Sequence, residues 1–173
     1  MKTLTKCFTL VAFALVVIAG GTQAQVAPQA DHDDAREESL PRETQREIAR
    51  ARRATARYHD LSRAIADGYV DINVFIPNQG FHYLKSAILD AQFDPERPEL
   101  LVYAQDLCEG RMRLVAVEYA VPISLSPNAP PEGFTGNADG WHRNEQFGLW
   151  TLHAWIWFRN PDGVFAEYNL RVP

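Results

Sequence analysis

Cysteine is almost missing from this chain. Only Cys7 and Cys108 occur among 173 residues, and Cys7 lies in an N-terminal segment that reads as a cleaved leader. One remaining cysteine excludes an intramolecular disulfide, a C-x-x-C redox pair and a thiolate zinc cluster. Cys108, beside a turn, reads as a small half-buried residue, not a reactive thiol. An excess of positive charge is missing as well. The chain has 17 Lys and Arg against 22 Asp and Glu, a formal charge of −5. Nucleic-acid binding needs a basic footprint, so that class is excluded. The chain also lacks a G-x-S-x-G nucleophile elbow, a glycine-rich phosphate loop and the H-E-x-x-H spacing. Beyond the first two dozen residues no apolar run is long enough to span a bilayer.

The N-terminus supplies an address. Lys2 and Lys6 precede an apolar run from Phe8 to Ile18, and Thr22-Gln23-Ala24 ends an A-x-A-like site. Residues 1–24 therefore read as a secretory signal peptide, and the mature chain as periplasmic or secreted without a transmembrane anchor. Cys7 precedes the apolar run, which argues against a lipid-anchored N-terminal cysteine. Residues 25–40 are dense in charge and poor in apolar residues, the composition of a disordered acidic spacer. His32 with Asp31, Asp33 and Asp34 reads there as part of a solvated tail.

Residues 41–173 read as a single α+β domain. A long N-terminal helix is predicted from about Pro41 to Asp67, with Gly68 as its left-handed cap. Ile48, Ala51, Thr55, Tyr58, Leu61 and Ile65 recur at three- and four-residue steps and form one apolar stripe. The arginines from Arg46 to Arg63 fall largely off it and read as a solvated face. This helix is expected to pack on an antiparallel sheet of about five strands. Val70–Ile76, Leu100–Ala104 and Arg111–Val121 are predicted strands. Phe81–Leu84 reads as extended or a short turn, and Ser86–Ala91 as the start of a minor helix.

Residues 122–146 form a long Pro/Gly-rich stretch, too long for a plain connection. Its Phe134 and Trp141 should fold it back over the sheet. A C-terminal hairpin is expected to follow, with strands at Leu149–Phe158 and Val164–Leu170 around a Pro161-Asp162-Gly163 turn. The first of these strands is apolar on both faces, as a central strand is. His153 sits in its middle, sharing a face with Thr151 and Trp155.

Several segments carry a resemblance. A-I-A-D-G-Y at 64–69, F-H-Y at 81–83, R-P-E-L-L-V-Y at 97–103, V-A-V-E-Y at 115–119 and L-H-A-W-I-W-F-R-N-P-D-G-V-F at 152–165 resemble a group of small exported bacterial hypothetical proteins. The resemblance spans most of residues 54–170. That group has no assigned activity, so it implies export and no substrate.

Function has to be read from polar groups placed in apolar segments. His82, Glu118 and His153 each lie among aromatic or aliphatic residues. Two imidazoles and a carboxylate make a common three-ligand set for one transition metal ion, whether zinc, copper, iron or manganese. His142 and Glu167 are the next candidates. Glu99 with Glu118 and Glu167 are the carboxylates available to a paired acid–base site. Three functions compete. One is an exported metal- or small-ligand-binding module, with the 122–146 loop as a cover. Another is a metal-dependent enzyme that uses the same cluster. The third is a structural or interaction protein with a protein partner, its buried polar groups only satisfying one another. The first two need the three side chains to converge beside a cavity; the third needs them apart, or paired and sealed.

Overall fold

The computed structural model of the chain describes residues 40–106 and 110–173. The segment expected to be a signal peptide, nearly all of the expected acidic spacer and Cys108 lie outside the described residues.

The single long helix predicted for residues 41–67 is not what forms. Helix α1 spans Arg42–Thr55 and tightens into a 3₁₀ turn at Ala56–His59. There it stops, and a separate six-residue helix, α2, occupies Leu61–Ala66. The break is at Asp60, whose backbone is extended (φ −90°, ψ 103°). Its carboxylate accepts from the Ser62 backbone N–H at 3.0 Å and from the Ser62 hydroxyl at 2.6 Å. An Asp side chain that bonds the next turn's N–H starts a new helix instead of continuing the old one. The break rotates the apolar stripe, so Ile65 is 57% exposed and Ala64 is buried in its place.

The sheet is also larger than the five strands expected. It has six antiparallel strands: β1 Val70–Ile76, β2 Gly80–Leu84, β3 Leu100–Gln105, β4 Met112–Pro122, β5 His142–Asn144 and β6 Leu149–Ala154, in the order β1-β2-β3-β4-β6-β5. The extra strand, β5, comes from the Pro/Gly-rich stretch and pairs His142 with Thr151 and Asn144 with Leu149. Three residues are too few for a period-2 signal.

The C-terminal hairpin does not form as a ladder. The Asn160–Gly163 turn is present, with Gly163 at φ 119° and donating to the Asn160 carbonyl. Strand β6 nevertheless ends at Ala154, and residues 164–170 form no strand. Trp155 donates to the Val164 carbonyl at 2.8 Å, while Trp157 and Phe158 both reach the Val115 carbonyl on β4. Side-chain amides tie down the rest: Asn160 donates to the Tyr168 carbonyl and Asn169 to the Arg159 carbonyl. Amide side chains that bond backbone offer an alternative to a strand ladder.

Helix α1 and residues from the 122–146 stretch cover one face of the sheet. Ile48, Ala51, Leu101, Tyr103, Leu114, Val117, Tyr119 and Leu152 are buried there. Phe134 folds back into this layer against Phe93, Tyr119 and Phe165. Glu47 on α1 holds it there by accepting from both the backbone and the hydroxyl of Thr135. The strict alternation expected along β4 is broken by a bulge. Tyr103 pairs with Leu114 but Val102 with Ala116, leaving Val115 extra. One extra residue inverts the faces beyond it, so Leu114 joins the helix-side core while Ala116 and Val115 belong to the opposite cluster. The sheet curls on that opposite face. Ile72, Val74 and Ile76 of β1 thereby line the same cavity as His153 of β6.

Candidate metal centre

The cavity on the curled face has a volume of about 450 Å³, within the range of about 300–1,000 Å³ common for small-molecule sites. All three expected ligands line it. Glu118 on β4 and His153 on β6 are direct cross-strand partners, so they share a face by register. His82 on β2 lies two strands from Glu118. Leu100, between them, pairs with both Leu84 and Glu118. His82, Glu118 and His153 are 3%, 5% and 3% exposed.

The carboxylate lies between the two rings. Glu118 Oε2 is 3.5 Å from His82 Nε2, and Oε1 is 3.8 Å from His153 Nε2. One ligand atom from each residue lies within 4.8 Å of the others. The ring centroids are 6.1 Å apart and nearly perpendicular, at 86°. Metal–ligand bonds of about 2.1 Å in tetrahedral array would hold neighbouring ligand atoms about 3.4 Å apart. The carboxylate–imidazole spacings are near that value, while ligand atoms lying up to 4.8 Å apart would have to close by about 1.4 Å onto such an ion.

His82 is oriented by its backbone neighbour. Its Nδ1 lies 3.2 Å from the Val74 carbonyl. The strand is irregular there: Asp71 pairs with Tyr83 and Phe75 with Phe81, putting three residues opposite His82. Asp71 accepts from the Asn73 N–H at 2.7 Å, and Asn73 takes φ 56°, a left-handed conformation that Asn tolerates. With Nδ1–H donating to Val74, Nε2 faces the Glu118 carboxylate, where a ring proton or a metal ion can lie between them. A ring N–H bonded to a carbonyl, with the other nitrogen aimed at the site, is the usual arrangement behind a metal-bound histidine.

His153 is the more telling residue. Among the described residues neither Nδ1 nor Nε2 has a hydrogen-bond partner, though both are buried. Its ring stacks on Trp155, centroids 6.0 Å apart at 13°. Burial holds its pKa below the ordinary value, opposed in part by Glu118. A neutral imidazole is the form that binds a metal. An unpartnered buried polar group costs about 1–3 kcal/mol.

Of the remaining candidates only Glu167 lines the cavity. His142 is at the rim, half exposed, with Nδ1 3.4 Å from Glu167 Oε2. Glu167 lines the cavity and His142 does not. Glu99 is buried but does not line this cavity; its carboxylate accepts from the Ala120 N–H at 3.0 Å. Burial pushes its pKa up to about 8. It therefore forms no acid–base pair with Glu118. Sequence reasoning missed Gln79 and the Val74 carbonyl. The Asp71-x-Asn73 pattern was the available signal, since Asx turns mark places where a strand departs from regular pairing.

No helix among the described residues is long and apolar enough to cross a membrane. Compared with known proteins, the chain gives no significant match to any family model, curated protein or solved structure.

Proposed function

We propose that this chain is an exported metal-binding module. One transition metal ion (zinc, copper, iron or manganese) would be held by His82 Nε2, a Glu118 oxygen and His153 Nε2, with its open position toward the cavity. The observation that carries the reading is His153, a buried imidazole with no partner for either nitrogen, set beside a carboxylate. A cluster that only satisfied itself would leave no such orphan and would be sealed, whereas this one opens on a cavity. That opening also supports a second reading. A metal with a free position can activate water or oxygen, so the same centre suits a metal-dependent enzyme.

The test is elemental analysis of residues 25–173, purified without a histidine tag or chelator. About one equivalent of a transition metal is expected, lost in His153→Ala and in Glu118→Ala. No bound metal, even after incubation with zinc and with copper, overturns the proposal and turns the search toward a protein partner.

A further inference from the structure

Building on the metal reading, we infer that the cavity takes a small organic monoanion, a carboxylate with an apolar body, whose head group completes the metal's coordination. Charge is the first argument. As ligands both imidazoles are neutral, and the other carboxylate of the lining, Glu167, is partly exposed and faces His142 at 3.4 Å. A divalent ion with Glu118 as its one carboxylate ligand therefore keeps positive charge for a further ligand to meet. In a largely enclosed site such a charge is costly unless an anion meets it. A single carboxylate cancels it.

The walls define the rest of the ligand. Ile72, Val74 and Ile76 line one side, with Leu100 and Phe147 also facing the space. An alkyl or aryl body displaces water from these surfaces favourably. Besides the three ligands the polar lining is Gln79, Asn144, Gln146, Thr151, Glu167 and Tyr168, of which Gln79 and Thr151 are the buried ones. The Gln79 amide and the Thr151 hydroxyl line the cavity, are 4% and 7% exposed, and make no hydrogen bond to another described residue. Thr151 is two residues from His153 on the same strand face, where a hydroxyl donor can reach the head group. Phe147 and Tyr168 line the cavity and are 44% and 45% exposed, so its rim is aromatic. A small apolar-bodied carboxylate suits a cationic centre set among these apolar walls better than a sugar or an organic cation does.

Cobalt(II) replaces the native ion as a reporter, because its visible absorption changes with the ligands bound. The cobalt-loaded chain is titrated with hexanoate, acetate and hexylammonium. Hexanoate is expected to change the spectrum saturably, at least tenfold more tightly than acetate, and hexylammonium to leave it unaltered. Phe147→Ser, at the exposed rim, is expected to weaken hexanoate at least threefold and leave acetate unchanged. Thr151→Val is expected to weaken both. If cobalt binds but hexanoate does not perturb its spectrum, or acetate binds equally well, the ligand inference is overturned and the metal reading stands. If no cobalt absorption develops, the metal reading itself has failed.

Discussion

His153 illustrates how one residue can be a liability to the fold and an asset to a site. Its two unpartnered nitrogens oppose folding of the metal-free chain. His153→Leu should therefore abolish metal binding and raise the stability of the metal-free protein, by roughly 1–3 kcal/mol, the cost of an orphaned buried polar group. Urea unfolding of both proteins in chelator checks this. A loss of stability instead would mean the imidazole has a structural task. Glu99 makes a separate prediction about pH. Its folded pKa, raised to about 8 by burial, lies above the ordinary carboxylate value. The folded state thus holds a proton that the unfolded chain releases near pH 4.5. This contribution is fully present below that pH and is lost as pH rises through about 8. Glu99→Gln should flatten the fall in melting temperature between pH 5 and 9, as thermal denaturation across that range would record.

At the scale of elements, the bulge in β1 is what the site depends on. The Asp71–Asn73 turn lies in the irregular stretch of β1 whose Val74 carbonyl meets His82 Nδ1. Asp71→Ala is expected to lower metal affinity about 10- to 100-fold, the usual effect of removing support behind a metal ligand. The far-ultraviolet circular dichroism spectrum should be unchanged, because Asp71 is exposed. Competition with a chromophoric chelator measures the affinity. The second bulge, at Val115, has a different consequence. It lets Leu114 and Val117 both face the helix layer while Glu118 keeps the cavity side.

For the whole molecule, a bound ion would join β2, β4 and β6, strands already linked through the sheet. A ligand that binds only the folded state stabilises it by about 2.7 kcal/mol at one hundred times its dissociation constant. Zinc should therefore raise the melting temperature of the wild type and leave that of Glu118→Ala unmoved in differential scanning calorimetry. On the opposite face, Phe134 carries the 122–146 stretch into the core, among Phe93, Tyr119 and Phe165. Phe134→Ala should cost roughly 3–5 kcal/mol, as truncation of a buried aromatic does, with metal affinity preserved. Chemical denaturation and the chelator competition together separate the two effects.

The three candidate ligands were legible in the sequence because a lone imidazole or carboxylate among apolar residues is conspicuous wherever the chain runs. Phe81–Leu84 around His82 read only as extended or a short turn, whereas the strands of Glu118 and His153 were legible too, at Arg111–Val121 and Leu149–Phe158. Local chemistry sufficed there. The rest was decided by tertiary structure. Asp60 bears a cap whose effect depends on whether the helix stripe can continue to pack. The three residues of β5 become a strand only because β6 offers an open edge. Residues 164–170 have strand-like composition, but their backbone partners are taken by Asn160 and Asn169. The convergence of His82, Glu118 and His153 follows from register and from the curl of the sheet. Both are set by pairing between residues far apart in the chain, which no local pattern records.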